Sequence, residues 1–301
     1  MASANKSIYS ALAANLLIAV TKFIAGTISN SSSMLAEAIH SLVDTANELV
    51  LLLGINRSKK APDSQHPFGY GKELYFWSFI VSILIFGLGG GLSIYQGILH
   101  IIHPEELGNP TVSYIVLALS MVFEGASFVV AIREFNKVKG ALSWWDAVVN
   151  SKDPSTFLVL FEDGAAVAGL FIVLICLFLG HRLNLPVLDG VASLLVGLLL
   201  VAVSGILARE SRSLLMGEGI APQTKARIIE LTEHHPAVVK VKHILSTYQS
   251  PSEVVLMLIV SFHEDLSMKE IDEAIDEIRA KIKKQYTLVR FVMVQPETAQ
   301  D

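Results

Sequence analysis

Glu37, His40, Asp44 and Asn47 fall within one apolar stretch, Met34 to Gly54, that is long enough to cross a bilayer. Side chains of this kind are costly in hydrocarbon and persist there when they face a partner, a cavity or an ion. His40 and Asp44 are four residues apart, which on a helix separates them by about 40° around the axis and roughly 6 Å along it, so one divalent cation can bridge imidazole and carboxylate. All four side chains share one broad helical face. Hydrogen bonding between helices is the competing reading, but two acids and a histidine together exceed what such packing requires.

A second apolar stretch carries Glu162 and Asp163 side by side. Neighbouring residues on a helix point about 100° apart, so one of the two acids is expected to bind the ion and the other to stand behind it. A protonated, merely hydrogen-bonded acid is the alternative. Gly164, Ala165, Ala166, Ala168 and Gly169 follow, and such small residues let another helix approach closely. Glu124 and Asn15 are further polar residues at depth; with Glu37 and Asn47 they are expected to support the ligands or to carry protons, and for Glu124 a structural hydrogen bond is an equal alternative. Lys22 lies off-centre in its stretch and is expected to snorkel, without a function.

Between the two stretches nearest His40 and Tyr75, Asp63 and His66 sit three residues apart in a segment with Pro67, Gly69 and Gly71, which suits a tight, ordered loop. The pair could hold a cation at the mouth of the bundle, and fixing the loop is at least as good a reading. His234, His235, His243 and His263 follow no metal-ligand spacing and read as ordinary surface or sheet residues.

The elements that must position these residues follow from composition. The chain has 301 residues, 52% hydrophobic and 17% charged, with a mean hydropathy of +0.54, outside the balance of a soluble domain. The net charge of −5 and the absence of a basic run or base-stacking motif exclude nucleic acid as a partner. The single cysteine, Cys176, allows neither a disulfide framework nor a thiolate cluster, which leaves nitrogen and oxygen as metal donors. Six segments are long and apolar enough to span: Ile8 to Ser29, Ser33 to Gly54, Leu74 to Ile102, Thr111 to Arg133, Ser155 to Gly180 and Pro186 to Ala208. The third is long enough to tilt. Arg57, Lys59, Lys60 and Lys72, then Arg133, Lys137, Lys139 and Lys152, then Arg209 and Arg212 mark alternate sides, so both termini are expected to face the cytoplasm or its equivalent. Met1 to Ser7 reads as neither a cleavable signal nor an Arg-rich transit peptide.

Residues 1–212 are thus expected to form a six-helix transmembrane domain and residues 213–301 a soluble one. After Gly217 the order reads helix (Gln223 to His234), strand (Val238 to Gln249), strand (Val254 to His263), helix (Ser267 to Lys284) and strand (Thr287 to Val294). That order suits a two-layer α+β unit of ferredoxin-like type, with helices on one face of an open sheet.

The run Ser33-Met-Leu-Ala-Glu-Ala-Ile-His40-Ser-Leu-Val-Asp44-Thr-Ala-Asn47 resembles the second-helix motif of the cation diffusion facilitators, and His66-Pro-Phe-Gly-Tyr-Gly-Lys72-Glu73 resembles their next loop. Gly91 to Tyr95, Phe123 to Ser127, Asp153 to Thr156 and Leu160 to Ala166 are similar to the divergent branch that contains zinc transporter nine. The resemblance implies a six-helix metal transporter with a cytoplasmic ferredoxin-like dimerisation domain. It also shows departures. The family's second His-x-x-x-Asp pair is incomplete, because Leu158 and Val159 stand four residues before Glu162 and Asp163. The family's loop site would fall on Asp63, His66 and Tyr70. His243 matches one cytoplasmic ligand position while Phe291 to Val294 lacks the others, so no tight binuclear site is expected there.

The resemblance, joined to the intramembrane donors, implies a divalent-cation efflux transporter that moves metal out of the cytoplasm in exchange for protons, in an inner cell membrane, as a homodimer in lipid, and not an enzyme. His40, Asp44 and Glu162 or Asp163 are the expected ligands. Zn²⁺ is the first choice of substrate, with Mn²⁺, Fe²⁺ or Co²⁺ open because this donor set is harder than two histidines with two aspartates. A proton-conducting channel and a membrane metal sensor that binds without transporting are the alternative classes. Lys72, Glu73 and Glu218 are expected to form ion pairs that interlock the dimer near the membrane surface.

Overall fold

The computed structural model describes residues 2–104, 110–140 and 143–298. Its contacts divide the chain into two compact units, one made of the residues up to Ile55 with Phe76–Ser211, the other of Asn56–Tyr75 with Arg212–Asp301. The segment between the second and third spans therefore folds with the C-terminal residues, although it lies between two membrane helices in sequence.

In the helical unit, α1 (Ala2–Ser29) is followed by α2 (Ser32–Ser58), α3 (Glu73–Leu84), a π-helical segment (Ile85–Gly91), α4 (Leu92–Ile102), α5 (Pro110–Lys139), the short α6 (Trp144–Asn150), α7 (Pro154–Leu183) and α8 (Val187–Met216). Among the described residues five spans have the length and apolarity to cross a membrane, α3 through α4 counting as one, and α1 is apolar over Asn15–Ser29. The expected loop from His103 to Pro110 lies partly outside the described residues.

The helix ends have local causes. Asp153 caps α7 by accepting from the Ser155 amide at 3.0 Å, Pro154 opens the helix, and Asn184 closes it in the left-handed region at φ 58°. At the start of α2 the cap comes from elsewhere. Asn30 reverses the chain at φ 53°, and the buried Asp189 carboxylate of α8 accepts from the Ser31 hydroxyl at 2.6 Å, the Ser32 hydroxyl at 2.8 Å, the Ser33 hydroxyl, and the Ser32 and Ser33 amides. A carboxylate at a helix N-terminus satisfies the unpaired amides and complements the helix dipole.

The third span departs from the expected uninterrupted α-helix. Residues Ile85-Phe-Gly-Leu-Gly-Gly-Gly91 form a π-helical stretch, where four glycines lower the intrinsic preference for the α form. Glycine also sets the packing. A Cβ on Gly97 would fall 2.6 Å from the Leu194 amide, and one on Gly197 would fall 2.7 Å from the Ile94 amide, so α4 and α8 meet backbone to backbone. The helix α6, absent from the expected elements, is capped by Ser143, whose hydroxyl accepts from the Asp146 amide at 3.1 Å.

In the C-terminal unit α9 (Pro222–Glu233), β1 (Val238–Ser250), β2 (Glu253–Phe262), α10 (Met268–Gln285) and β3 (Val289–Thr298) follow in the expected order. The sheet order is β1-β2-β3, with β1 and β2 antiparallel from Val238 opposite Phe262 to Ser250 opposite Glu253. The strands β2 and β3 are parallel, from Val254 opposite Val289 to Phe262 opposite Thr298, with α10 as the crossover. Alternate residues Leu256, Leu258, Val260 and Phe262 of β2 join Ile228 of α9 and Ala274, Ile275, Ile278 and Ile282 of α10 in one core. Both helices thus cover the same face. The helix α10 opens on a reciprocal cap between Ser267 and Glu270, which holds the Glu270 carboxyl below its ordinary value.

Candidate metal centre

The apolar stretch around His40 becomes α2, whose inward face buries Glu37, His40 and Asn47 with exposures of 0%, 1% and 0%. His40 Nδ1 lies 3.3 Å from Asp44 Oδ1, the contact expected of residues one helical turn apart. Neither atom is in hydrogen-bonding geometry, however, and His40 Nε2 also lacks a partner. Both ring nitrogens of a buried histidine are therefore left over.

Facing α2, α7 contributes Glu162, whose Oε1 accepts from Asn47 Nδ2 at 2.7 Å. Asp44 and Glu162 line the same cavity between these helices. Asp163 turns away from this pair, as expected of adjacent helical residues, and accepts from the Ser127 hydroxyl of α5 at 2.8 Å. The two acids thus divide as the helical angle requires. Glu162 joins the His40 and Asp44 group, and Asp163 sits beside α5.

A cavity of about 200 Å³ opens between α1, α2, α5 and α7, lined by Asn15, Asp44, Glu48, Glu124, Glu162 and Asp163 among others. Asn15 Nδ2 donates to Glu48 Oε1 at 2.8 Å. Glu48 is a cavity residue that sequence reasoning missed, although it lies four residues beyond Asp44 on the same helix and that spacing could have found it. Among the described residues no three histidine, cysteine, aspartate or glutamate side chains stand together as a ready-made ligand set. The donors nearest one another are the His40 and Asp44 pair with Glu162 across from it.

Lys22 corrects the sequence reading most sharply. It does not snorkel: its side chain is 0% exposed, and Nζ contacts Glu37 Oε2 at 3.1 Å, Glu124 Oε1 at 2.5 Å and Ser41 Oγ at 2.9 Å. Its partners lie on α2 and α5, so no spacing within its own helix could reveal them. A buried ammonium needs such carboxylates, because desolvation of an unpaired charge is the larger cost.

The segment between α2 and α3 uses its acid differently. Asp63 Oδ1 accepts from the Gln65 and His66 amides at 3.0 and 2.8 Å, and Oδ2 accepts from the Tyr70 hydroxyl at 2.6 Å and Lys60 Nζ at 3.4 Å. The Tyr70 hydroxyl, then the His66 amide, hold the Asp63 carboxyl well below the usual carboxylate range. The His66 and Tyr70 rings pack at 4.2 Å between centroids, tilted by 33°. Both carboxylate oxygens of Asp63 thus serve the loop's own hydrogen bonds.

Lys72, Glu73 and Glu218 all fall in the C-terminal unit. Lys72 Nζ would lie 3.7 Å from a Cβ on Gly217, the Glu73 amide donates to the Tyr70 carbonyl at 2.9 Å, and the Glu218 carbonyl accepts from the Tyr248 amide at 3.0 Å. His243 is exposed on β1, and His235 Nε2 pairs with Glu277 Oε2 at 3.1 Å.

Comparison with known proteins agrees with this architecture. The cation efflux transmembrane domain matches residues 8–216, and the cytoplasmic domain of cation efflux proteins matches residues 220–299. The proton-coupled zinc antiporter SLC30A9, mitochondrial, of Xenopus laevis is 37% identical over 100% of this chain and 55% of its own length. Metal tolerance protein C4 of Arabidopsis thaliana is 32% identical over 83% of this chain and 54% of its own length. The manganese efflux system protein MneP of Bacillus subtilis is 28% identical over 94% of this chain and 92% of its own length. The chain spans about half the length of the first two relatives. A multi-pass membrane bundle joined to a small α+β unit, matched over both parts, makes this chain a member of the cation efflux family.

Proposed function

We infer that the chain carries divalent metal cations, zinc first among them, across its membrane in exchange for protons. The observation that carries this reading is the set of donor atoms left over inside the helical unit. Both His40 ring nitrogens, Asp44 Oδ1 and Asn47 Oδ1 are buried without a hydrogen-bond partner, beside the cavity that Asp44 and Glu162 line. Buried polar atoms are ordinarily satisfied, and a cation entering the cavity would supply what they lack. His40, Asp44 and Glu162 are the ligands of this reading, with Asn47 orienting Glu162 and Asp163 behind it. The similarity to the proton-coupled zinc antiporter SLC30A9 supports zinc and proton coupling.

Coupling to protons has a direct physical basis. Imidazole and carboxylate must shed protons before they bind a metal, so protons arriving from one side displace the ion and a proton gradient can drive the cycle. The membrane is accordingly taken to be one that carries such a gradient, with both chain termini on the side from which metal leaves. One imidazole with carboxylates is a harder donor set than two imidazoles, and with the name of the manganese relative it favours Mn²⁺ as the second substrate. Lys72, Glu73 and Glu218 are assigned to an interlock between two copies of the chain, and the C-terminal unit to dimerisation.

The test is metal uptake by the full chain reconstituted in vesicles, with and without an imposed pH gradient, for wild type and Asp44→Ala. Gradient-dependent zinc uptake that falls to background in Asp44→Ala is the expected result. Uptake that ignores the gradient would favour a channel, and zinc binding without uptake would favour a sensor.

A further inference from the structure

The ligand set of the proposed centre is short by one. The histidine that would stand four residues before Glu162 is Leu158, and α7 offers the cavity only the carboxyl groups of Glu162 and Asp163. Zinc in proteins is usually held by four ligands. The other carboxylates of the cavity are Glu48, Asp163 and Glu124, of which Glu48 is held by Asn15 and Asp163 by Ser127.

Glu124 of α5 has the required placement. It lines the same cavity as Asp44 and Glu162, and its two oxygens are used unequally. Oε1 is held by Lys22 Nζ at 2.5 Å, while Oε2 is buried without a partner. Lys22 and Glu37 are not among the residues that line the cavity. They form its backing: Lys22 spends its remaining contacts on Glu37 Oε2 and Ser41 Oγ, and Glu37 in turn is packed so closely on α7 that a Cβ on Gly169 would lie 2.7 Å from its Oε1. One ammonium thus fixes two carboxylates that each keep one buried oxygen without a partner, Glu37 Oε1 and Glu124 Oε2, and of the two it is Glu124 that lines the cavity.

We propose that Lys22 is a positioning residue of the transport centre, which withholds Glu37 and presents Glu124 as an additional carboxylate ligand to the divalent cation. The inference rests on the reading of His40, Asp44 and Glu162 as the ion site. Its logic is one of position. With Lys22 absent, Glu37 and Glu124 lose the charge that holds them, and Glu124 either turns away or takes up a proton, so that it no longer presents an anionic oxygen. The ion then loses a ligand even though no ligand has been mutated. A purely structural lysine would instead lower the yield or melting temperature of the protein and leave its affinity for metal unchanged.

The experiment compares wild type, Lys22→Met, Lys22→Arg, Glu124→Gln and the Lys22→Met/Glu124→Gln double variant as full chains, with zinc affinity measured by calorimetry in lipid nanodiscs and uptake measured in vesicles. Loss of a residue that orients a ligand typically weakens metal binding by about 10-fold to 100-fold. Lys22→Met and Glu124→Gln should each raise Kd and the KM for zinc by about that much. The double variant should be no worse than the poorer single, because the two residues act as a unit, and Lys22→Arg should recover part of the loss. Wild-type or tighter Kd in Lys22→Met, or losses that add in the double variant, would overturn the proposal. If Lys22→Met does not fold, Glu124→Gln decides, since its carbonyl oxygen still accepts from Lys22; wild-type Kd in that variant would overturn the proposal equally. Asp44→Ala separates the two levels. Retained zinc binding there removes the ion site itself, whereas lost binding there with a neutral Glu124→Gln removes only the role given to Lys22 and Glu124.

Discussion

Two clusters of this molecule contain an aspartate and a histidine at helix-like or turn-like spacing, and they differ in what is left over. In α2 the His40 and Asp44 side chains lie 3.3 Å apart, with the facing nitrogen and oxygen unpartnered. In the segment before α3 the Asp63 and His66 side chains lie 3.4 Å apart, almost the same distance. There, however, the carboxylate is already taken by two amides, a tyrosine hydroxyl and a lysine. The difference teaches that distance between potential ligands is a weak guide. The capacity of a site for an ion is what remains after the protein's own hydrogen bonds have been counted.

The comparison breaks most decisively at its stronger end. Asp44→Ala should abolish zinc uptake, while Asp63→Ala should leave KM for zinc unchanged; equal losses in the two variants, measured by vesicle uptake, would dissolve the contrast. The next effect divides adjacent acids. Glu162→Gln should weaken zinc affinity by about 10-fold to 100-fold and Asp163→Asn by less, as read by calorimetry, and the reverse order would place the ion nearer α5.

Stability offers a gentler version of the same test. Asp189 accepts from the Ser31, Ser32 and Ser33 hydroxyls and the Ser32 and Ser33 amides, so Asp189→Ala should destabilise the full chain by about 1–3 kcal/mol, seen as a lower melting temperature with little change in the metal Kd of the protein that remains folded. The smallest effect concerns acid. Asp63 and Glu270 both titrate below their ordinary values of 3.8 and 4.5. A depressed folded value means that the stabilisation is complete above the ordinary value and is lost as pH falls through the folded one. Melting temperature should therefore fall as pH drops below about 4, and Asp63→Asn with Glu270→Gln should flatten that part of the profile. An unchanged slope in the double variant would assign the acid sensitivity to other groups.

The sequence made the α2 face legible because its four polar residues recur at helical spacing in an otherwise apolar run. The order of the C-terminal elements was equally readable from β-branched runs and one strongly amphipathic helix. Lys22 was not, since its partners are 15 and 102 residues away and hydropathy alone treats a lysine near a span's edge as a snorkelling one. Glu48 continues the helical spacing one turn beyond Asp44, while its partner Asn15 lies 33 positions away. The π-helical stretch was hidden because glycines within an apolar span weaken the α form without specifying its replacement. The Asp189 clasp needed residues more than 150 positions apart.

The glycine-rich turn of the third span also sets a phase. Winding Ile85–Gly91 as a π-helix inserts roughly one residue's worth of rotation, about 100°, into everything that follows. Ser93 and Gly97 reach their buried positions with that offset in place. Rewinding this stretch as a plain α-helix with no residue removed, as replacement of its glycines by alanine would favour, should swing Gly97 off the α8 backbone and put a bulky neighbour against a seam that has no room for one, whereas deleting one residue as well would restore the phase.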